Sequence, residues 1–291
     1  MTKEHHLYLD TYKIEGTVNY DQSDSFHSSL TYPHFQSQLV EFKQWIAQGV
    51  EKNLSSTIYK FGDGDFHFLT KSRIGSAQPG RRAISKDYSI LDNHHEFVEG
   101  VCKNDVIAVE VYNHNLFHQI YPHRKINIPA EYGYGLVANR WLTKNFAGSV
   151  GLIGGDEKLD LIRKLMERPE YKEFLGLDDF NDYIKVPQKF ACDDLNSVSR
   201  SVLDQLERSN KETRLYLVGV GHVKSGLLHR LKSAKNAIFY DVGSGIDAIA
   251  GIVDFCRPYM GAWTNYRLKS FDYSKIDFLQ YTPDANKEVW L

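Results

Sequence analysis

The chain has 291 residues, of which 42% are hydrophobic and 25% charged, a composition typical of a globular protein rather than of a disordered chain. Its formal net charge of −2 provides no broad cationic field, which argues against nucleic acid or an anionic membrane surface as a partner. Cys102, Cys192 and Cys256 form no disulfide framework, no stretch is apolar enough to span a bilayer, and the polar start lacks a signal sequence, so we expect a cytoplasmic protein.

The first predicted helix is marked by Phe35, Leu39, Phe42 and Ile46, which recur at helical spacing. The segment SSTIYKF follows it and is rich in β-branched and aromatic residues, as strands are. This strand runs directly into GDGD at 62–65, which predicts a polar turn at the carboxyl end of the strand.

The middle of the chain predicts a helix with Phe97, Val98 and Val101, then a buried strand over VIAVEVY at 106–112. His114 and His118 come next at one-turn spacing, which raises the alternative of a zinc site. We disfavour zinc because the strand is expected to lead into a loop rather than a helix and no metalloprotease glutamate lies beside His114.

Strands and helices alternate regularly from Ser149 onward. The order is SVGLIGG, the helix DEKLDLIRKLMER, YIKVP, a helix from Asp193, RLYLVGVG, a helix with three leucines at 227–231, AIFYDVG and the helix IDAIAGIVDF. Such alternation predicts an α/β fold in which a mostly parallel, Rossmann-like sheet carries helices on both faces. We expect one domain over 1–291, because no linker rich in glycine, proline or serine divides it.

Ligands of open parallel sheets bind beyond the carboxyl ends of the strands. The loops GGDE, PQKFACDD, GVGHVKSG and DVGSGID are therefore expected to share one rim and to hold the chemistry.

Asp63 and Asp65 stand two positions apart with Gly64 between them, an arrangement that suits carboxylates converging on Mn²⁺ or Mg²⁺. The cation would bridge them to a diphosphate. The alternative is an ordinary turn, because Asp-Gly pairs are common turn formers.

The segment GVGHVKSG at 219–226 lies between a strand and a helix, where small residues let backbone N–H groups approach a phosphate. The candidate anion contacts there are Gly219, Gly221, His222, Lys224 and Ser225. The spacing fits neither a dinucleotide fingerprint nor a Walker loop, and a tight strand-to-helix connection is the alternative.

The next strand ends in DVGSGID, which adds Asp241 and Asp247 to the rim. Asp247 is either a helix cap or the base that accepts a proton from an acceptor hydroxyl, with His222 the second candidate base.

Basic and aromatic side chains outside the rim loops offer further contacts. The 18 tyrosines, 16 phenylalanines and 4 tryptophans indicate an aromatic core or a surface on which sugars stack. Arg81 and Arg82 either lie on the surface or contact phosphate. Near the end of the chain, Arg257 and Arg267 lie among Tyr259, Trp263 and Tyr266, a group that suits contact with sugar or base, or packing.

In their order these segments resemble the GT-D glycosyltransferases. KFGDGD at 60–65 is similar to the Arg-Phe-Gly-Asp-Gly-Glu turn of that family, and VPQKFACDD, GVGHVKSG and the strand end Asp241-Val242-Gly243 follow in the family's order. The resemblance covers about 56–247, which would be the family-like core, with 251–291 as an acceptor-side extension.

The resemblance implies a GT-D-type fold and a metal-dependent transferase that moves a sugar from a nucleotide-sugar, such as UDP-glucose or UDP-xylose, to a hydroxyl of a glycan. Asp63 and Asp65 would hold the metal, while Lys60, Gly62, Asp241 and the loop at 219–225 would line the donor pocket. Lys60 replaces the family arginine and Asp65 its glutamate. A lysine lacks the bidentate guanidinium fork and an aspartate is one methylene shorter, so both changes bear on donor and metal contact.

Two other functions stay open at this point. LVGVG followed by Asp241 also resembles the cofactor fingerprint of methyltransferases that use S-adenosylmethionine, although that fingerprint normally opens the sheet and leaves Gly62 to Asp65 unexplained. A non-catalytic module that binds nucleotide or carbohydrate is the second alternative, motivated by Lys60, Asp65 and the aromatic C-terminal segment.

Overall fold

A computed structural model describes residues 34–72, 91, 93–110 and 113–252. The strands in these ranges are β1 Ser56–Phe61, β2 Val106–Val109, β3 Ile128–Pro129, β4 Val150–Gly155, β5 Tyr183–Val186, β6 Leu215–Gly219 and β7 Ile238–Asp241. The helices are α1 Phe35–Glu51, α2 Asp63–Leu69, α3 His94–Cys102, α4 His114–Ile120, α5 Glu131–Ala138, α6 Trp141–Asn145, α7 Asp156–Met166, α8 Pro169–Leu175, α9 Leu195–Glu207, α10 Lys224–Leu227 and α11 Gly245–Ile249. Short 3-10 segments, Gly221–Val223 and Leu228–Ser233, flank α10.

The strands form one sheet in the order β3-β2-β1-β7-β6-β4-β5, and every pair of neighbours is parallel. The α/β fold class predicted from the alternating pattern is therefore confirmed. Because all strands point the same way, the loops that follow them share one edge of the sheet, as parallel strands require.

The two faces of the sheet carry separate hydrophobic cores. On the first face, alternate strand residues such as Ile58 and Leu217 pack with α1, α5, α6, α7, α8 and α11. On the second face, Tyr59 and Val218 pack with α2, α3, α4, α9 and α10. Fully burying one large aliphatic or aromatic side chain contributes about 1.5–3 kcal/mol, so these two layers supply most of the driving force.

The amphipathic helices follow the predicted periods. In α1, Leu39, Phe42 and Ile46 are buried, as their spacing predicts. Helix α9 begins after Asp194, whose carboxylate accepts from the Ser197 N–H at 2.9 Å and caps the helix.

Four local predictions are corrected by the structure. The segment after β1 is not a turn, because Gly62 is the N-cap of α2 and Asp63 its first residue. Strand β2 ends at Val109, and the residues from His114 form helix α4 rather than a loop. The helix predicted around Leu227 is divided into α10 and two 3-10 segments. Helix α11 ends at Ile249, close to Gly251, which has a φ of 74°.

Among the described residues, no helix combines the length and apolar character needed to cross a membrane.

Candidate functional site

The candidate site lies at the carboxyl ends of β1 and β7, which are neighbours in the sheet. The chain leaves β1 toward α2 on the second face and leaves β7 toward α11 on the first face. Connections that diverge from adjacent parallel strands open a crevice between them, and such crevices are the usual ligand sites of α/β sheets.

Helix α2 places its two aspartates in different environments. Asp63, at the first position, is exposed, and its Oδ1 accepts from the Gly64 N–H at 2.7 Å. Asp65 is buried, and its Oδ2 accepts from the Gly62 N–H at 2.9 Å. Side chains two positions apart on a helix do not face each other, which explains why the two carboxylates do not converge.

Lys224 joins three elements beneath the crevice on the second face. Its Nζ lies 3.1 Å from Asp65 Oδ2 and 2.7 Å from Asp241 Oδ2, and it also donates to the backbone carbonyl of Lys60. An ammonium group has three protons, and each has an acceptor here. The three groups form an internal brace, Asp65-Lys224-Asp241, that links α2, α10 and β7.

Asp241 is the most enclosed member of this brace. Its Oδ2 also accepts from the Lys60 N–H at 3.1 Å, and its Oδ1 accepts from the Gly243 N–H at 2.9 Å. The side chain is 0% exposed. Its oxygens are therefore engaged by the protein itself.

The electrostatics of the brace follow from burial and charge pairing. Burial alone would raise the pKa of Asp65, but Lys224, His222 and the Gly62 N–H together hold the pKa of that carboxyl well below its usual range. Tyr59, whose hydroxyl donates to Asp65 Oδ1 at 3.2 Å, has its pKa raised well above the usual range by burial and by that carboxylate. Asp65 thus stays ionised and Tyr59 stays protonated at neutral pH.

Lys60 extends on the opposite side of β1, on the first face. Its Nζ lies 3.0 Å from Glu110 Oε1, and it also contacts the hydroxyl of Tyr134, which itself donates to Glu110. We call Lys60, Glu110 and Tyr134 the lysine-glutamate cluster. Glu110 follows β2 directly, at the same sheet edge, and its N–H lies 3.4 Å from the Phe61 carbonyl.

Glu110 and Tyr134 were not identified from the sequence. The position of Glu110 in the sequence could have predicted it as a site residue, because an acidic residue directly after a buried parallel strand lies at the ligand-binding edge. Nothing in the sequence could have predicted Tyr134, since α5 is buried on all sides and shows no amphipathic pattern that would orient a tyrosine.

His222 lies between the brace and the crevice. Its ring stacks on Phe68 with centroids 4.9 Å apart and an interplanar angle of 11°. Its Nδ1 lies 3.5 Å from Asp65 Oδ1, and its side chain is 19% exposed. A Cβ on Gly64 would lie 3.2 Å from its Cε1, so the small residue lets the ring pack against α2.

The other predicted residues of this loop have different surroundings. Gly219 is required by packing, because a Cβ there would lie 2.5 Å from Ile246 Cγ1. Gly221 is exposed with a φ of 62° and no atom near its would-be Cβ, so its backbone is open to a ligand. Ser225 is buried, and its hydroxyl donates to the His222 carbonyl at 2.7 Å.

Asp247 lies in α11 and is paired with Lys158 of α7. The two charged atoms are 2.6 Å apart, and the Asp247 side chain is 11% exposed. The N-cap of α11 is Ser244, so Asp247 does not cap the helix. The structure places it near the carboxyl end of β4, apart from the brace, and its role as a base stays a prediction.

The residues fit a divalent cation only in part. Both Asp65 oxygens already contact Lys224, Gly62, Tyr59 or His222, so a cation held jointly by Asp63 and Asp65 would displace an ammonium. No group of three potential ligands occurs within the described residues. The exposed Asp63 carboxylate does fit, because Mg²⁺ is commonly bound by one or two carboxylates together with substrate phosphates.

Several predicted contacts lie elsewhere. His114 and His118 share helix α4, where burial and the neighbouring histidine lower the pKa of His114 to about 4. Outside the described residues lie Arg81, Arg82, Arg257, Tyr259, Trp263, Tyr266, Arg267 and most of the predicted extension.

Comparisons with known proteins place this structure beside two glycosyltransferase structures. No family model matches the sequence, and no curated protein matches it. One similar structure is described as a new glycosyltransferase (DUF1792) from Streptococcus sanguinis, with 13% identity over 71% of this chain and 81% of that one and a TM-score of 0.44. The other is described as the highly conserved domain of unknown function 1792 with a distinct glycosyltransferase fold, with 16% identity over 84% and 88% and a TM-score of 0.45.

Proposed function

We propose that the chain is a glycosyltransferase that moves a sugar from a nucleotide-sugar to an acceptor hydroxyl. One observation carries the proposal: three of the four segments that share the order of the GT-D motifs, KFGDGD, GVGHVKSG and Asp241-Val242-Gly243, meet at the carboxyl ends of β1 and β7, although they lie far apart in sequence. Lys60 and Lys224 are 164 positions apart, Lys60 and Asp241 are 181 apart, and all three are in direct contact.

The crevice offers the groups that this reaction needs. Glycosyl transfer leaves negative charge on the departing diphosphate, and preorganised positive groups that meet it are worth about 100- to 1000-fold each in rate. Lys60 and the exposed backbone at Gly221 are our candidates for that contact. Asp63 is our candidate ligand for Mn²⁺ or Mg²⁺, which would supply further charge neutralisation when bound.

His222 is the base that the geometry favours. A base must reach the acceptor hydroxyl, and the His222 ring is partly exposed at the crevice, with Nδ1 directed toward a buried carboxylate. In this proposal the other ring nitrogen, Nε2, would accept the proton. Asp247 is the second candidate, and its close partner Lys158 would have to move for it to act.

The donor in this proposal is a UDP-sugar such as UDP-glucose or UDP-xylose, and the acceptor is a glycan hydroxyl. Both come from the motif resemblance. The methyltransferase alternative is disfavoured by Asp241, because the acidic residue of its cofactor site must accept from ribose hydroxyls, and Asp241 is 0% exposed with its oxygens engaged.

A thermal-shift panel tests the proposal. Nucleoside diphosphates and nucleotide-sugars would be added with manganese or with chelator, beside S-adenosylhomocysteine. We expect stabilisation by one nucleotide class, because a ligand that binds only the folded state raises the unfolding temperature. A shift with S-adenosylhomocysteine alone would replace the proposal with a methyltransferase, and nucleotide-sugar binding without release of diphosphate would indicate a binding module.

A further inference from the structure

The lysine-glutamate cluster is built to fix one ammonium group at the crevice. We propose that Glu110 and Tyr134 are positioning residues that hold the Lys60 ammonium where the donor's diphosphate departs. This inference rests on the proposed function and adds two residues to it.

The Lys60 side chain passes two glycines on its way to Glu110. A Cβ on Gly243, which has a φ of 54°, would lie 3.0 Å from Lys60 Cε, and a Cβ on Gly62 would lie 3.6 Å from Lys60 Nζ. A side chain at position 243 would therefore crowd the lysine, whereas the distance at position 62 is that of an ordinary contact. Of the side chain, 10% is exposed, so the group is enclosed but not sealed.

Glu110 is itself held in place. Its Oε2 accepts from Asn113 Nδ2 at 2.6 Å, while its Oε1 accepts from Lys60 Nζ at 3.0 Å and from the Tyr134 hydroxyl. The ring of Tyr134 also lies under the ammonium, 4.8 Å from ring centroid to Nζ. Cation-π contact and the carboxylate thus fix Lys60 from two directions.

Lysine needs such support more than arginine does. A guanidinium is planar and makes two parallel hydrogen bonds to a phosphate, whereas an ammonium on a flexible four-carbon chain has no preferred orientation of its own. The carboxylate and the tyrosine supply that orientation. The glutamate side chain is 19% exposed, which leaves the cluster accessible from the crevice.

Glu110→Gln tests the positioning role, because glutamine keeps the shape and an acceptor oxygen but loses the charge. The assay is release of nucleoside diphosphate from the nucleotide-sugar that gives the largest thermal shift, with water as acceptor, alongside calorimetry with the matching nucleoside diphosphate. We expect kcat to fall about 10-fold or more, because the Lys60 ammonium is no longer held where negative charge develops in the transition state. The diphosphate Kd should weaken by no more than it does in Lys60→Met. Tyr134→Phe should lower kcat in the same direction.

Glu99→Gln is the matched control. Glu99 pairs with Lys103 at 3.5 Å on the surface of α3, where the glutamate side chain is 62% exposed. Its variant should behave as the wild type. The double variant Lys60→Met with Glu110→Gln should be no slower than Lys60→Met alone, since Glu110 acts through Lys60, whereas a merely structural role would add to the loss.

The outcomes separate this inference from the proposed function. An unchanged kcat in Glu110→Gln, additive losses in the double variant, or a diphosphate Kd weakened more in Glu110→Gln than in Lys60→Met would each overturn the positioning role while the transferase stands. A wild-type protein that binds none of the nucleotides would overturn both.

Discussion

Two buried lysines place their ammonium groups on opposite faces of the sheet at strand β1, Lys60 from within that strand and Lys224 from α10. The partners of the two lysines differ in solvent exposure. The Lys224 side chain is 7% exposed, and its partners Asp65 and Asp241 are 6% and 0% exposed. The Lys60 side chain is 10% exposed, and its partner Glu110 is 19% exposed. The same residue type is therefore an internal support on one face and, in the proposed function, a contact for the donor's diphosphate on the other.

The difference follows from charge and connectivity. Lys224 is surrounded by two carboxylates, so removing it leaves two like charges in the interior. Lys60 has one carboxylate that reaches solvent, so the cost of separating that pair is lower. Variants of the two lysines should accordingly divide into those that unfold the protein and those that disable the site.

Lys224→Met should have the largest effect. Breaking a buried ion pair by removing one partner costs about 3–5 kcal/mol of unfolding free energy, because it leaves an uncompensated charge. Guanidinium chloride titration at pH 7 measures it. The matched control is Lys232→Met, whose pair with Asp105 is partly exposed and should be worth less than about 1 kcal/mol. A Lys224→Met variant as stable as this control would contradict the brace.

The stability gap between wild type and Lys224→Met should depend on pH. In the wild type the pKa of Asp65 is lowered, so its contribution is present above the unfolded pKa of about 3.9 and is lost as the pH falls further. Without Lys224 the buried carboxylates take up protons at higher pH and relieve their repulsion. At about 1.4 kcal/mol per pKa unit, we expect the gap to narrow by about 2–3 kcal/mol between pH 7 and pH 4. A gap that is constant over this range would show that Lys224 acts by packing alone.

Lys60→Met should separate stability from binding. We expect the unfolding free energy to fall by less than about 2 kcal/mol, since Glu110 can reach water. The affinity for nucleoside diphosphate should fall about 10-fold, which is about 1.4 kcal/mol of binding free energy. Calorimetry on the folded variant measures this, with Lys232→Met again as control. Equal affinity in the wild type and Lys60→Met would remove Lys60 from the donor site.

The order of elements was predictable because it depends on local patterns. The period of Leu39, Phe42 and Ile46 predicts helix α1. The alternation of strands and helices from Ser149 onward predicts a parallel sheet and its ligand-binding edge. The structure brings Asp65, Asp241 and Lys224 together near that edge, and their role as ligand contacts stays a prediction. A sequence does not show that Lys224 reaches two carboxylates from different elements, so the brace could be found only in three dimensions.

The helix after β1 shows the same limit on a smaller scale. GDGD is compatible with a turn and with a helix start, and the packing of Phe68 against Phe97 and His222 favours the helix. Once the helix forms, Asp63 and Asp65 point apart. Metal binding by both residues assumed a turn in which they converge.

Asp63→Asn should have the smallest effect on stability. It also tests whether Asp63 binds the metal without Asp65. Asp63 is exposed at the first position of α2, where a negative charge is worth about 0.3–1 kcal/mol. We expect the manganese-dependent part of the nucleotide thermal shift to disappear, because the exposed Asp63 carboxylate is our candidate metal ligand. Asp65→Asn, the comparison variant, should lower stability more and leave the manganese response of the folded protein intact, because its oxygens contact Lys224 and its neighbours. If Asp65→Asn instead abolishes the manganese response while Asp63→Asn retains it, the cation must displace Lys224 from Asp65 when the donor binds, and the brace would be a resting state of the metal site.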